Sequence, residues 1–153
     1  MGKATARTTI QKPADQLWAL IGRWDDLSWY RGIKTCAIKG NTRTITMHGI
    51  EAEMDQKELH RDDNKRTYTY GMSGYRGGQI VRLPDGQTYD PGSLVGHNRV
   101  TISVTPQGAS ASLLMYHVEI DEGYDTLIER TKDGYQSVID HLKTQLELSL
   151  IHI

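Results

Sequence analysis

The chain changes its hydrophobic period twice, and this constrains its fold more than any other feature. After a strand-like run at 3–10, Pro13 stands where a helix would begin. Leu17, Trp18, Leu20 and Ile21 then cluster at helical spacing. Gly22 ends that segment, and Asp25 or Asp26 is placed to cap a second short helix through Leu27, Trp29 and Tyr30. The period then drops to two. Segments 33–39, 42–48, 50–60 and 65–72 read as strands, broken at Gly40-Asn41, His48-Gly49 and Asp62-Asp63-Asn64. Two more, 98–105 and 109–120, meet at Pro106-Gln107-Gly108. The helical period returns at roughly 124–148. There Tyr135, Val138, Ile139, Leu142 and Leu146 fall within about 120° of arc when stepped from Leu127.

An antiparallel sheet must bury one face, and only the closing helix, roughly 35–40 Å long at 1.5 Å per residue, can cover this one. The expected class is therefore α+β. A curved antiparallel sheet wraps around a long C-terminal helix, two short helices follow the first strand, and one domain spans 1–153. Gly134 lies on the apolar arc of that helix and is either a packing or cavity position or a plain weak spot. Residues 73–97 break the alternation with six Gly, two Pro and the turn Pro84-Asp85-Gly86 between Ile80–Leu83 and Gln87–Tyr89. They read as a hairpin insertion, a lid or simply a surface excursion.

Composition then narrows the function. Eighteen Lys and Arg against nineteen Asp and Glu leave a net charge of −1. This balance excludes broad phosphate neutralisation on nucleic acid and a polybasic membrane anchor. The single cysteine, Cys36, allows no internal disulfide and no thiolate-cluster metal site, and reads as a small buried filler. No apolar run approaches 18 residues and the start lacks a signal-peptide pattern, so a cytoplasmic protein is expected. The aromatic inventory is unusual: eight Tyr, three Trp and no Phe, so every large ring carries a polar group that needs a partner when buried. With no Phe to fill the space under the sheet, a cavity is the expected consequence.

Period two puts Tyr68, Tyr70 and Met72 on one strand face and Tyr116 with Leu114 and Val118 on another, while Tyr135 sits in the helical arc. Pointed inward, four phenols converge on one cavity, where rings stack on a flat ligand and hydroxyls donate to its oxygens. Tyr70 and Tyr116 are the candidate catalytic phenols, with His97 at the end of the insertion, then His48, as acid or base. Glu51, Glu53 and Asp55 read as a solvated face, leaving Ala52, Met54 and Gln56 inward and Glu58 following them. Arg43, in register with Ile45 and Met47, either salt-bridges inside the sheet or holds an acidic ligand group. Trp29, Tyr30, Tyr68, Met72, Tyr75 and Tyr135 complete the substrate-binding set with Arg43, Met54 and Glu58. No histidine spacing suits a metal on a helix, Gly-Tyr-Arg-Gly-Gly at 74–78 precedes no helix, and no Gly-x-Ser-x-Gly is present.

Several runs resemble one superfamily. They are Ala14-Asp15-Gln16-Leu17-Trp18-Ala19-Leu20-Ile21-Gly22-Arg23-Trp24 with Trp29, Thr42-Arg43-Thr44 before Gly49, Asp62-Asp63 before Arg66–Tyr70, and Gly134-Tyr135 ahead of Leu142-Lys143. Together they resemble the SRPBCC superfamily of START-like lipid carriers and birch-pollen-allergen-like proteins, and within it the polyketide cyclase/dehydrase-like branch. The resemblance implies a helix-grip fold and a cavity for a small hydrophobic molecule, in a monomer or homodimer without a cofactor. It implies either a cyclase, dehydratase or isomerase acting on an aromatic, polyketide-like or terpenoid-like substrate, or a non-catalytic carrier or sensor. The pattern's proline after the second Trp is replaced by Tyr30-Arg31-Gly32, and its glutamate after Gly49 has two competing counterparts, Gln56 and Glu58.

Overall fold

The computed structural model describes residues 2–72, 81–82, 86, 88–89, 98–120 and 128–151. Strand β1 (Gly2–Ile10) leads into helix α1 (Ala14–Ile21), and four strands follow: β2 (Ile33–Lys39), β3 (Thr42–Met47), β4 (Ile50–Asp62) and β5 (Thr67–Met72). Short strands β6 (Val81–Arg82) and β7 (Thr88–Tyr89) pair with each other, before β8 (Asn98–Pro106), β9 (Ser112–Ile120) and helix α2 (Ile128–Ile151). The seven long strands form one antiparallel sheet in the order β1-β9-β8-β5-β4-β3-β2.

Alternation works as expected on the central strands. Tyr68, Tyr70, Val100, Ile102, Val104, Leu114, Tyr116 and Val118 all point to the buried face. Ile139 and Leu142 of α2 close over that face. The polar side of α2 has a second task. Among the described residues edge strand β1 has no strand beyond it, and backbone groups on its outer side meet side chains of the helix. Gln136 accepts from the Arg7 amide at 3.2 Å and donates to the Arg7 carbonyl at 3.0 Å, and Lys143 donates to the Thr9 carbonyl at 2.6 Å. The helix thus covers an edge that would otherwise invite another strand.

Two expectations need correction, and one open alternative is decided. A single helix, not two, follows β1, because residues 22–32 run as turns. Asp26 accepts a hydrogen bond from the Ser28 amide at 2.9 Å, a local turn that competes with helix capping, and Gly32 takes φ of 98°. Cys36 is half-buried on β2 rather than enclosed, and partial burial pushes its thiol pKa up. Gly134 is exposed on α2, and a Cβ there would meet nothing within 4 Å among the described residues. It is a plain weak spot, so Gly134→Ala is expected to stabilise the protein by about 1 kcal/mol, raising Tm by roughly 2–4 °C. An unchanged or lower Tm would mean that the glycine is needed.

Gly22 is the opposite case. A Cβ there would lie 2.5 Å from the Trp18 ring and 2.7 Å from the Trp18 carbonyl oxygen, which already accepts the Gly22 amide. Gly22→Ala is therefore expected to cost about 1–3 kcal/mol, read as a lower urea midpoint at unchanged slope. Among the described residues no helix is long and apolar enough to cross a membrane.

Candidate functional site

Between the sheet and α2 lies a cavity of about 70 Å³. Its position follows from register. Arg43 on β3 stands opposite Gln56 on β4, which stands opposite Met72 on β5, so three neighbouring strands lay one inward row across its floor. Ile45 and Met54 form the next row, Tyr70 and Tyr116 come from the sheet centre, and Tyr135 reaches in from the helix. Leu27, Tyr30 and Ile33 close the side formed by the turns after α1, and Met47 completes the lining.

Four phenols therefore border one space: Tyr30, Tyr70, Tyr116 and Tyr135. Tyr116 and Tyr135 stack with ring centroids 5.0 Å apart, and the Tyr135 hydroxyl donates to the Met72 sulfur at 3.7 Å. Burial pushes the Tyr70 phenol well above its ordinary pKa, with Tyr135 beside it adding to the shift. Tyr116 is pushed well up in the same way by burial, with Tyr70 the next-largest contributor. Both stay protonated at neutral pH, so they serve as hydrogen-bond donors and not as bases.

Arg43 is 1% exposed. Its Nε donates to Gln56 Oε1 at 2.7 Å and its Nη1 to the Trp24 carbonyl at 3.1 Å. The guanidinium carbon lies 3.9 Å from the centroid of the Trp24 ring and 5.0 Å from that of Tyr70. Behind it sits Tyr68, wholly buried between Trp24 and Trp18 and outside the lining. The Tyr68 hydroxyl has no partner of hydrogen-bond geometry among the described residues. Burial raises its pKa, and nearby Arg43 opposes part of that rise.

Of the residues singled out in the sequence, Tyr30, Arg43, Met54, Tyr70, Met72, Tyr116 and Tyr135 meet at the cavity. Trp29 is buried against Tyr30 and lies behind the lining. His48 is exposed at the β3–β4 turn, where its amide donates to the Gly32 carbonyl. Glu58 also stands away from the cavity. A register shift between Glu58 and His60 brings Arg61 to the same side of β4 as Glu58, and the two form a bidentate pair at 3.0 and 3.2 Å. Tyr75 and His97 lie outside the described residues. Sequence reasoning did not count Gln56 or Trp24 as site residues, although the inward parity of Gln56 was already visible.

An antiparallel sheet that holds one long helix over a phenol-lined cavity defines a class of small-molecule cavity proteins. The chain belongs to the polyketide cyclase / dehydrase and lipid transport family, whose sequence pattern matches residues 1–147. Among curated proteins none matches it in sequence. Solved structures share the fold at low identity. The protein XoxI from Bacillus cereus is 19% identical, with both chains covered over 100% and a TM-score of 0.77. Norcoclaurine synthase from Thalictrum flavum, in complex with dopamine and hydroxybenzaldehyde, is 15% identical over 97% of this chain and 87% of its own, with a TM-score of 0.65. The di-domain ARO/CYC BexL from the BE-7585A biosynthetic pathway is 17% identical over 97% of this chain, which spans 47% of BexL, with a TM-score of 0.71.

Proposed function

We propose that this protein is a cofactor-independent enzyme that cyclises, dehydrates or isomerises a small aromatic, polyketide-like or terpenoid-like molecule. The observation that carries this reading is the convergence of Tyr70, Tyr116 and Tyr135 on one cavity, two of them held protonated by burial. Such phenols donate to a carbonyl oxygen and bind it more tightly as negative charge develops there. The cavity is less than half the size of the ~150 Å³ apolar cavity that accepts benzene in an engineered protein, so a ring enters only as the lining moves. Met47, Met54 and Met72 supply that movement, since unbranched thioethers repack easily. Residues 73–97, the expected hairpin insertion or lid, lie for the most part outside the described residues.

A carrier or sensor is the second reading. It is favoured by one observation: no carboxylate or imidazole is among the described residues lining the cavity. A proton acceptor would then come from the substrate itself, from water or from residues outside those described, His97 among them.

Turnover separates the two. Incubated with polyketide-like aromatic ketones, the protein is expected to release altered product, and Tyr70→Phe and Tyr116→Phe are each expected to lower kcat about 10²-fold with KM little changed. Ligand recovered unaltered, with retention on native mass spectrometry insensitive to both substitutions, would establish the carrier.

A further inference from the structure

The strongest unexplained feature of the molecule is the charge of Arg43. A guanidinium is protonated throughout the physiological range and carries five N–H donors. Here it is 1% exposed, yet the partners it has are neutral: the side-chain oxygen of Gln56 and the backbone oxygen of Trp24. No carboxylate among the described residues lies within ion-pair distance, the neighbouring Glu58 and Asp63 being engaged by Arg61. The aromatic faces of Trp24 and Tyr70 offset part of the lost hydration, but a ring quadrupole does not neutralise a full charge. Its two hydrogen bonds occupy Nε and one N–H of Nη1, Tyr68 stands beside it on the side away from the lining, and Arg43 is among the residues that line the cavity.

We infer that Arg43 is the anion-recognition group of this cavity, and that the ligand carries an acidic oxygen, a carboxylate or an enolate, aimed at its unused N–H groups. Gln56 is the residue that makes this possible. It occupies the one inward position opposite Arg43, flanked by Met54 and Met72, to whose sulfurs its amide nitrogen is directed at 3.9 Å. A carboxylate at that position would neutralise the guanidinium internally. An amide holds Arg43 in place through its oxygen and leaves the charge for the ligand. The inference rests on the proposed small-molecule cavity and names what that cavity selects.

The test uses acetate, which is small beside a 70 Å³ cavity, and the isosteric pair benzoate and benzamide, which differ in charge and hardly in shape. Each is titrated into the intact protein by calorimetry and amide NMR, with Gln56→Glu as the comparison. Acetate and benzoate are expected to bind saturably, benzamide at least 10-fold more weakly, and Gln56→Glu is expected to abolish the preference. The same variant is expected to raise Tm by about 5 °C or more, because it gives a buried cation its counter-ion. Benzamide binding as tightly as benzoate, or a Tm lowered by Gln56→Glu, would overturn the inference and leave the cavity reading standing. Acetate binding with neither aromatic ligand would support Arg43 and remove the aromatic substrate class. Binding of none of the three would remove both readings.

Discussion

Leu142→Ala is expected to remove about 2–5 kcal/mol of stability, enough to lower Tm by roughly 10 °C. Helix α2 has 24 residues, but among its described side chains only Ile139 and Leu142 are fully buried. Val138 and Leu146 flank them half-buried. The helix is otherwise tied down by hydrogen bonds to the β1 edge, each worth about 1 kcal/mol net. Its docking therefore rests chiefly on these two aliphatic side chains, with half-buried Ile128 and the Tyr135 ring stacked on Tyr116 adding to it, and truncating one leaves a gap beside a cavity that already lacks filling atoms. Urea denaturation of Leu142→Ala should show a lower midpoint with the slope preserved, and Ile139→Ala should behave alike. Leu148→Ala, at a position 49% exposed, should stay within about 0.5 kcal/mol of the parent. A loss below about 1 kcal/mol in both core variants would mean that the helix is held some other way.

The general shape of this fold was legible because two periods carry it. Strand parity put Tyr68, Tyr70, Val118 and Met54 on the right face, and helical stepping found Ile139 and Leu142. What parity does not carry is register. Between Thr46 and Met47 the β3–β4 pairing shifts by two residues, so Arg43 faces Gln56, whereas an unshifted hairpin would set it opposite Met54. Both arrangements point the same side chains inward, and nothing in the alternation chooses between them. The shift decides whether the buried arginine meets an amide or a thioether.

Glu58 shows the same limit in another form. Counted by twos from Gln56 it belongs in the cavity. Residue 59 is extra in the β4–β5 ladder, and its insertion turns Arg61 onto the side where alternation would have placed its neighbours. A carboxylate with a guanidinium at 3.0 Å no longer needs the cavity. Trp24 was invisible for a different reason. It lies outside every periodic segment, and its ring reaches Arg43 through turns whose conformation depends on local contacts such as Asp26 with Ser28.

Raising the pH from 10 to 11 is expected to cost on the order of 2 kcal/mol through Tyr70 and Tyr116 together. In the unfolded chain a phenol titrates near 10. In the folded protein both are held well above that value, first by burial and then by neighbouring phenols. A group whose folded pKa is raised binds its proton more tightly in the native state. Its contribution is complete below about pH 9 and is lost as pH climbs toward the folded pKa, at a slope that approaches about 1.36 kcal/mol per unit for each phenol once the unfolded phenol is ionised. Tyr68, also raised by burial, steepens the fall further. Urea midpoints taken at pH 8, 10 and 11 check this. The parent should be flat to about 9 and fall beyond it, while Tyr70→Phe and Tyr116→Phe should each fall less steeply by one phenol's share. Comparing slopes between variants isolates the phenols from lysines that titrate in the same range. If the parent stayed flat to pH 11, the hydroxyls would be ionising inside the folded protein. They would then be in contact with solvent, and a donor pair shielded at the cavity would have no basis.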